Sequence, residues 1–344
     1  MDRIIDLRSD TISKPSSEML QKMFEIDLNK IGDDVFGEDQ YLNELETYAS
    51  KMFGMEAGLF CPSGTMTNQI AIHLQSGPGK EVICDAISHV YVYEGGGIAA
   101  NTGASVRLLN GNNGKFTAEQ VYQNINKEDV HFPRTSMVCI ENTVNRGGGA
   151  CWDLSEIKKI KAVCEEKNLK FHLDGARIFN ALVAKNEDPK EYGKLFDSIS
   201  ICLSKGLGAP VGSVLLGSSD FIKEARRVRK RWGGGMRQAG FLASAGLYAI
   251  QHQVERLKID HQRAFKIGEI LKQHPLVKLV LPIETNIVIF ELLENVSFES
   301  FLAKLHDSNI RAIHIGENRI RFVFHLNQSD GDIENLENVL LKLN

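Results

Sequence analysis

Apolar and polar positions follow two regimes along this chain. Through most of the first 257 residues, short apolar runs alternate with longer stretches of helical period. Residues 58–61, 81–85 and 136–141 are short, apolar and bounded by turn formers, which predicts strands. So do 171–174 and the strictly alternating run 198–204. Between them, 41–53 carries Leu42, Leu45, Tyr48, Ala49 and Met52 on one helical face. Residues 66–75 space Met66, Ile70 and Leu74 four apart, and 154–167, 221–232 and 240–257 also predict helices. The N-terminal stretch predicts an extended arm and then a helix capped by Ser16 or Ser17. Strands alternating with helices over this length imply a mostly parallel sheet with helices on both faces. From about residue 260 the pattern changes. A helix through His274, strands near 277–282 and 286–292, a helix over 298–308, two further apolar alternations and a last amphipathic helix predict a smaller α+β unit. The expected domains are 1–257, with the arm, and 258–344.

Two of the strands end on charge. Asp174 is followed at once by Gly175, and Lys205 by Gly206. Ligands of open α/β sheets sit in the crevice at the carboxyl ends of the strands, so an acid and an amine are expected in one crevice. A lysine with apolar neighbours can lose its proton and form a Schiff base, and a carboxylate can hold a protonated pyridine nitrogen. Pyridoxal phosphate (PLP) needs both groups. Alternatively, Asp174 caps a turn and Lys205 is a solvated loop lysine.

Five other places bear on that choice. The turn Ser63-Gly64-Thr65 joins a strand to a helix start and offers backbone N–H groups and hydroxyls to an anion. It lacks the lysine of a nucleotide phosphate loop, and a plain helix cap is the other reading. His89 follows a strand end by a few residues, where an imidazole can lie on a pyridine ring, act as a base, or serve structure alone. Arg237 sits in the glycine break GGGMRQAG, and the acidic loop 32–39 is either a solvated connection or a wall of a site or subunit contact. Arg321 lies in mid-strand, where a buried guanidinium requires a partner, either an internal acid or a substrate carboxylate.

Composition narrows the class. Hydrophobic content of 43% and charged content of 24% suit a soluble globular enzyme, and a net charge of −4 argues against a general nucleic-acid binder. No apolar run is long enough to span a bilayer, and the charged N-terminus has no signal core. Six scattered cysteines predict buried thiols of a reducing compartment, with no disulfide frame and no metal site. The expected location is the cytoplasm.

The stretches DLRSDT, GDDVFGED, PSGTMTNQ, ENTVN, HLDGARIFNA, SKGLGAPVGS and GGGMRQAG, in this order, resemble the PLP-dependent threonine aldolases of the β-eliminating-lyase group. The resemblance spans essentially the whole chain. It implies the aspartate-aminotransferase-type architecture, PLP fold type I. It also implies that Lys205 forms the Schiff base, Asp174 binds the pyridine nitrogen and His89 stacks on the ring. Ser63, Gly64 and Thr65 would hold the phosphate, with Arg177 near the PLP hydroxyl and the substrate carboxylate. Ser9 and Arg321 would grip that carboxylate, and Arg237 would reach the cofactor of a neighbouring subunit in a homotetramer. The implied reaction is cleavage of a β-hydroxy-α-amino acid to glycine and an aldehyde, with His89 or a water it orients as base. Many relatives carry a histidine where this chain has Val144, so a more apolar pocket and a shifted β-substituent preference are expected. A PLP-dependent β-eliminating lyase or racemase, and an inactive phosphate-binding scaffold, are the alternatives.

Overall fold

The computed structural model describes residues 3–343. Its larger sheet has seven strands: β2 (Ala57–Cys61), β3 (Lys80–Asp85), β4 (Ser105–Leu109), β5 (Arg134–Glu141), β6 (Lys170–Gly175), β7 (Ser198–Cys202) and β8 (Ser213–Gly217). They lie in the order β2-β8-β7-β6-β5-β3-β4. All neighbours are parallel except β8, which runs antiparallel to both β2 and β7. The central strands are buried along nearly their whole length, as expected for strands covered on both faces. That is why they read as continuous apolar runs.

This topology brings chemistry to one edge. Glu141 at the end of β5 pairs with Asp174 in β6, and Asp174 pairs with Ser200 in β7. Because β8 is reversed, its first residue, Ser213, stands beside both Cys202 and Cys61 at that same end. Gly175 permits the close strand approach, since a Cβ there would meet the Ser200 carbonyl at 2.5 Å.

The second sheet, β12-β13-β10-β9, is antiparallel throughout. It comprises β9 (Val277–Val280), β10 (Ile287–Leu292), β12 (Ile313–His314) and β13 (Arg319–Val323). Phe290, Phe301, Phe322, Phe324, Leu336 and Leu340 fill its own core. The N-terminal arm belongs to this core as well. Its strand β1 (Ile5–Asp6) pairs in parallel with β11 (Ile310–Arg311), and Ile5 and Leu7 are buried there. Val323 N–H then donates to the Leu7 carbonyl, which holds the arm along β13 and delivers Ser9 and Asp10 to the crevice.

Four helices set local geometry: α1 (Ser17–Phe24), α2 (Gln40–Phe53), α3 (Gly64–Gln75) and the single turn α4 (His89–Val92). Ser16, rather than Ser17, caps α1 by accepting from Met19 N–H. Two expectations are corrected. The helix expected over 240–257 ends at His252, and a second runs from Leu257 to Lys272. At the break Arg256 donates to the Gly206 carbonyl and to Asp260, tertiary contacts that a periodicity cannot register. The strand expected to reach Ser204 stops at Cys202, because the chain turns there to bring Leu203 N–H onto the Gly212 carbonyl. Strands β4 and β8 are absent from the sequence reading. All six cysteines are buried free thiols. Among the described residues no helix is long and apolar enough to cross a membrane.

Candidate active site

Two adjoining cavities open at the carboxyl edge of the large sheet. The inner one, about 280 Å³, is lined by residues that include Ser63, Gly64, Thr65, Glu94, Asp174 and Ser204. The outer one, about 680 Å³, is lined by residues that include Ser9, Asn145, Arg146, Arg177 and Arg321. Thr11, His89 and Lys205 line both. The acid and the amine expected in one crevice therefore do share it.

Asp174 is 1% exposed, and its two oxygens are treated differently. Oδ1 accepts from Ala176 N–H at 3.1 Å, whereas Oδ2 has no donor. A buried carboxylate oxygen without a partner is costly, so a donor from outside the chain is called for. A protonated pyridine nitrogen supplies one, and this is the first sign that PLP fits. Lys205 is anchored by its main chain, its carbonyl accepting from Ser13 Oγ at 2.7 Å and Gly208 N–H at 2.8 Å. That fixes where the side chain starts.

The second sign is at α3. Ser63 Oγ accepts from Met66 N–H at 3.2 Å, and the first helical bond runs from Thr67 N–H to the Ser63 carbonyl. The N–H groups of Gly64 and Thr65 are thus left for a ligand, at the positive end of the helix dipole. The helix-cap and anion-site readings of this turn are compatible, since Ser63 caps while its neighbours remain open. Ser213 Oγ, buried and without a partner, lies 3.4 Å from where a Cβ on Gly64 would sit.

His89 is positioned at both ends. Its backbone N–H donates to Glu141 Oε2 at 2.8 Å, and ring Nδ1 meets Glu94 Oε1 at 3.1 Å. Glu94 in turn accepts from Asn68 and Gln69 of α3. Side-chain atoms of His89, Glu94 and Asp174 lie within 4.8 Å of one another. Burial opposes a charged imidazole, but the Glu94 hydrogen bond and the Asp174 and Glu94 charges outweigh it and raise the His89 pKa. For Glu141, burial and the Asp174 charge outweigh the N–H groups of Asn145 and His89, and its pKa rises. His172, one residue pair below Asp174 on β6, bonds Ser198 and Asn68; burial drives its pKa down to about 4, so it is a neutral structural imidazole.

The arginines differ in what they have left to give. Arg177 is buried and spends Nε and Nη2 on Asp10, at 2.8 and 2.6 Å. Arg321 donates Nη1 to Asn145 Oδ1 at 2.7 Å and Nη2 to the Arg8 carbonyl at 2.9 Å, and its buried Nε has no partner. Its partners are neutral, so the internal acid that the sequence left open is absent here. Burial and the nearby Arg177 charge lower the Arg321 pKa to about 10. Ser9 turns its hydroxyl onto Thr11 and lines the outer cavity. Arg237 is not brought to the site within one subunit. It is paired with Asp33 at 2.8 Å, with a mostly exposed side chain. Val144 is buried and packs over Gly114 and Gly147, while the next two residues, Asn145 and Arg146, face the cavity. The expectation that Val144 itself makes the pocket wall apolar is therefore corrected.

Sequence reasoning missed Asp10, Glu94, Glu141 and Asn145. Asp10, Glu141 and Asn145 stand inside quoted motifs (DLRSDT and ENTVN), and that was the available signal. Their partners lie as far as 276 positions away, beyond the reach of any local pattern.

Comparison with known proteins agrees with this geometry. The family model described as "Beta-eliminating lyase" matches residues 6–294. A "Probable low-specificity L-threonine aldolase" of Schizosaccharomyces pombe is 40% identical over 97% of this chain and 86% of its own length. The "Low specificity L-threonine aldolase" of Escherichia coli strain K12 is 42% identical over 78% of this chain and 80% of its own. Among solved structures, Leishmania major threonine aldolase superposes with a TM-score of 0.86 at 21% identity, covering 98% of this chain and 99% of that one. That likeness bears on the fold alone.

Proposed function

The chain belongs to the β-eliminating lyase family and to its threonine aldolases, and from that premise we propose that it cleaves β-hydroxy-α-amino acids such as threonine to glycine and an aldehyde. The observation that carries this reading is the buried, unpartnered Asp174 Oδ2 in a cavity shared with Lys205. The reaction needs a group that accepts the electron pair left at Cα, and bound PLP supplies that sink. The remaining work falls to side chains.

In this reading the Gly64 and Thr65 N–H groups with the Ser63 and Thr65 hydroxyls would hold the phosphate. Asp174 would accept the pyridine N–H, and Lys205 would supply the amine that links the cofactor to the chain. Arg321, with Nε open, binds the α-carboxylate, with Ser9 beside it. Arg177, oriented by Asp10, would lie beside the cofactor hydroxyl and the substrate carboxylate. His89 has Nδ1 engaged by Glu94, which leaves Nε2 to exchange a proton with the substrate β-hydroxyl. We also read the exposed Phe24, Leu28 and Phe36 (84%, 71% and 75% exposed), with Phe241 and the Asp33–Arg237 pair, as a face between copies. A homotetramer, acting in the cytoplasm, is the assembly proposed.

Absorbance spectra of purified wild type and Lys205→Ala, with and without glycine, test the site. The wild type should show the visible absorbance of a lysine-linked cofactor and a longer-wavelength band with glycine, and the variant should form no glycine from threonine. A colourless wild type, or one releasing pyruvate from serine but no glycine from threonine, refutes the proposal.

A further inference from the structure

We propose that the outer cavity selects β-hydroxy-α-amino acids whose β-substituent carries a second carboxylate, and that Arg146 is the residue that reads it. The inference rests on the aldolase reading above and adds a substrate class to it.

The cavity holds an imbalance of charge. Arg177 is neutralised by Asp10. Arg321 and Arg146 are not. Arg146 donates Nη1 to the Tyr93 hydroxyl at 2.7 Å and Nη2 to the Ile315 carbonyl at 2.6 Å, both neutral acceptors. Arg321 likewise bonds an amide and a carbonyl. Among the described residues neither guanidinium forms an ion pair with a carboxylate. The two are connected through adjacent residues, since Asn145 takes Arg321 and Arg146 follows it. The Arg146 charge adds to burial and Arg177 in lowering the Arg321 pKa.

One α-carboxylate balances Arg321. A monocarboxylic substrate such as threonine leaves Arg146 facing only neutral groups. A guanidinium has five N–H donors, and two of the five are used here. The others suit a planar, bidentate carboxylate. Of the other cations lining the cavity, Arg177 is paired with Asp10, Arg321 is assigned to the α-carboxylate and Lys205 to the cofactor. His314 is stacked on Phe298 with centroids 3.7 Å apart and has Nε2 on the Glu317 carbonyl, while Ile313 and Ile315 supply apolar surface. Arg146 thereby spans from Tyr93, just after α4, to the β12–β13 hairpin.

The chemistry is unchanged by the second acid. For 3-hydroxyaspartate the Cα–Cβ bond breaks and the β-hydroxyl proton leaves as the aldehyde C=O forms. The bond's electron pair stays with Cα until a proton joins it. The products are glycine and glyoxylate, with no further reactant.

The test compares kcat/KM for 3-hydroxyaspartate and for 3-hydroxyglutamate with that for threonine, using holoenzyme of wild type, Arg146→Met and Arg146→Lys. At least one acid should be preferred to threonine by the wild type. Arg146→Met should lower the acid-to-threonine ratio by about 10- to 100-fold, the worth of a charge-assisted pair, and Arg146→Lys should restore part of it. If Arg146 only ties Tyr93 to the hairpin, all substrates fall together and the ratio stays within twofold, which overturns the proposal. Calorimetric binding of L-aspartate, L-glutamate and L-alanine gives a second readout without turnover. Tighter binding of a diacid than of alanine, lost in Arg146→Met, supports the assignment even if no substrate yields glycine, an outcome that would sink the aldolase reading alone. Equal binding of diacids and alanine overturns it.

Discussion

Replacing Asp10 by Asn isolates the charge that the arm inserts beneath the site. Asp10 is fully buried and receives two hydrogen bonds from Arg177, with Asn286 Nδ2 at 3.4 Å. Burial alone would raise its pKa, but the Arg177 charge and hydrogen bonds overcome that and bring it to about 2, against 3.8 for the unburied group. At about 1.4 kcal/mol per pH unit, that difference corresponds to about 2 kcal/mol of stability. Breaking a buried pair by removing one partner costs about 3–5 kcal/mol, because the remaining guanidinium is left uncompensated. Asp10→Asn should therefore destabilise by about 2–5 kcal/mol at pH 7. With an unfolding entropy of about 2.1 cal/mol/K per residue over this length, Tm should fall by roughly 3–7 °C. The sign with pH follows from a depressed pKa. The wild-type advantage is complete above pH 3.8 and is lost as pH falls toward about 2. Thermal unfolding of both proteins between pH 5 and 8 should show a constant gap. A variant as stable as wild type at pH 7, or a gap that changes within that range, refutes the reasoning.

Glu94→Gln removes a carboxylate that raises the His89 pKa; if neutral His89 is the base, the acidic limb of kcat/KM for threonine should move to lower pH, and an unmoved limb would assign the base elsewhere. Arg321→Lys keeps the charge but loses the planar fork, so KM for threonine should rise about 10- to 100-fold with a smaller effect on kcat; steady-state kinetics decide it. Phe36→Glu places a charge on a side chain that is 75% exposed; light scattering should report a smaller assembly with unchanged far-ultraviolet circular dichroism if that face joins copies.

Local pattern by itself determined the parallel core strands, a helix capped by Ser16 or Ser17, the turn Ser63–Thr65 ahead of a helix and the candidate pair Asp174 and Lys205. Each of these depends on side-chain periodicity, on capping chemistry or on a charge closing an apolar run, all written within a few residues. It also carried enough motif order to indicate the family. What only the tertiary structure decided depends on residues far apart in the chain. The reversed β8 brings Ser213 to the ligand edge, and the arm sets Asp10 under Arg177 across 167 positions. The helix break follows from Arg256 meeting the Gly206 carbonyl, and the turn after β5 buries Val144 while exposing Asn145 and Arg146 to the cavity. A sequence states which residues prefer a strand or a cap. Which charges must share a low-dielectric space, and so fix one another's protonation and partners, is settled only when the elements pack.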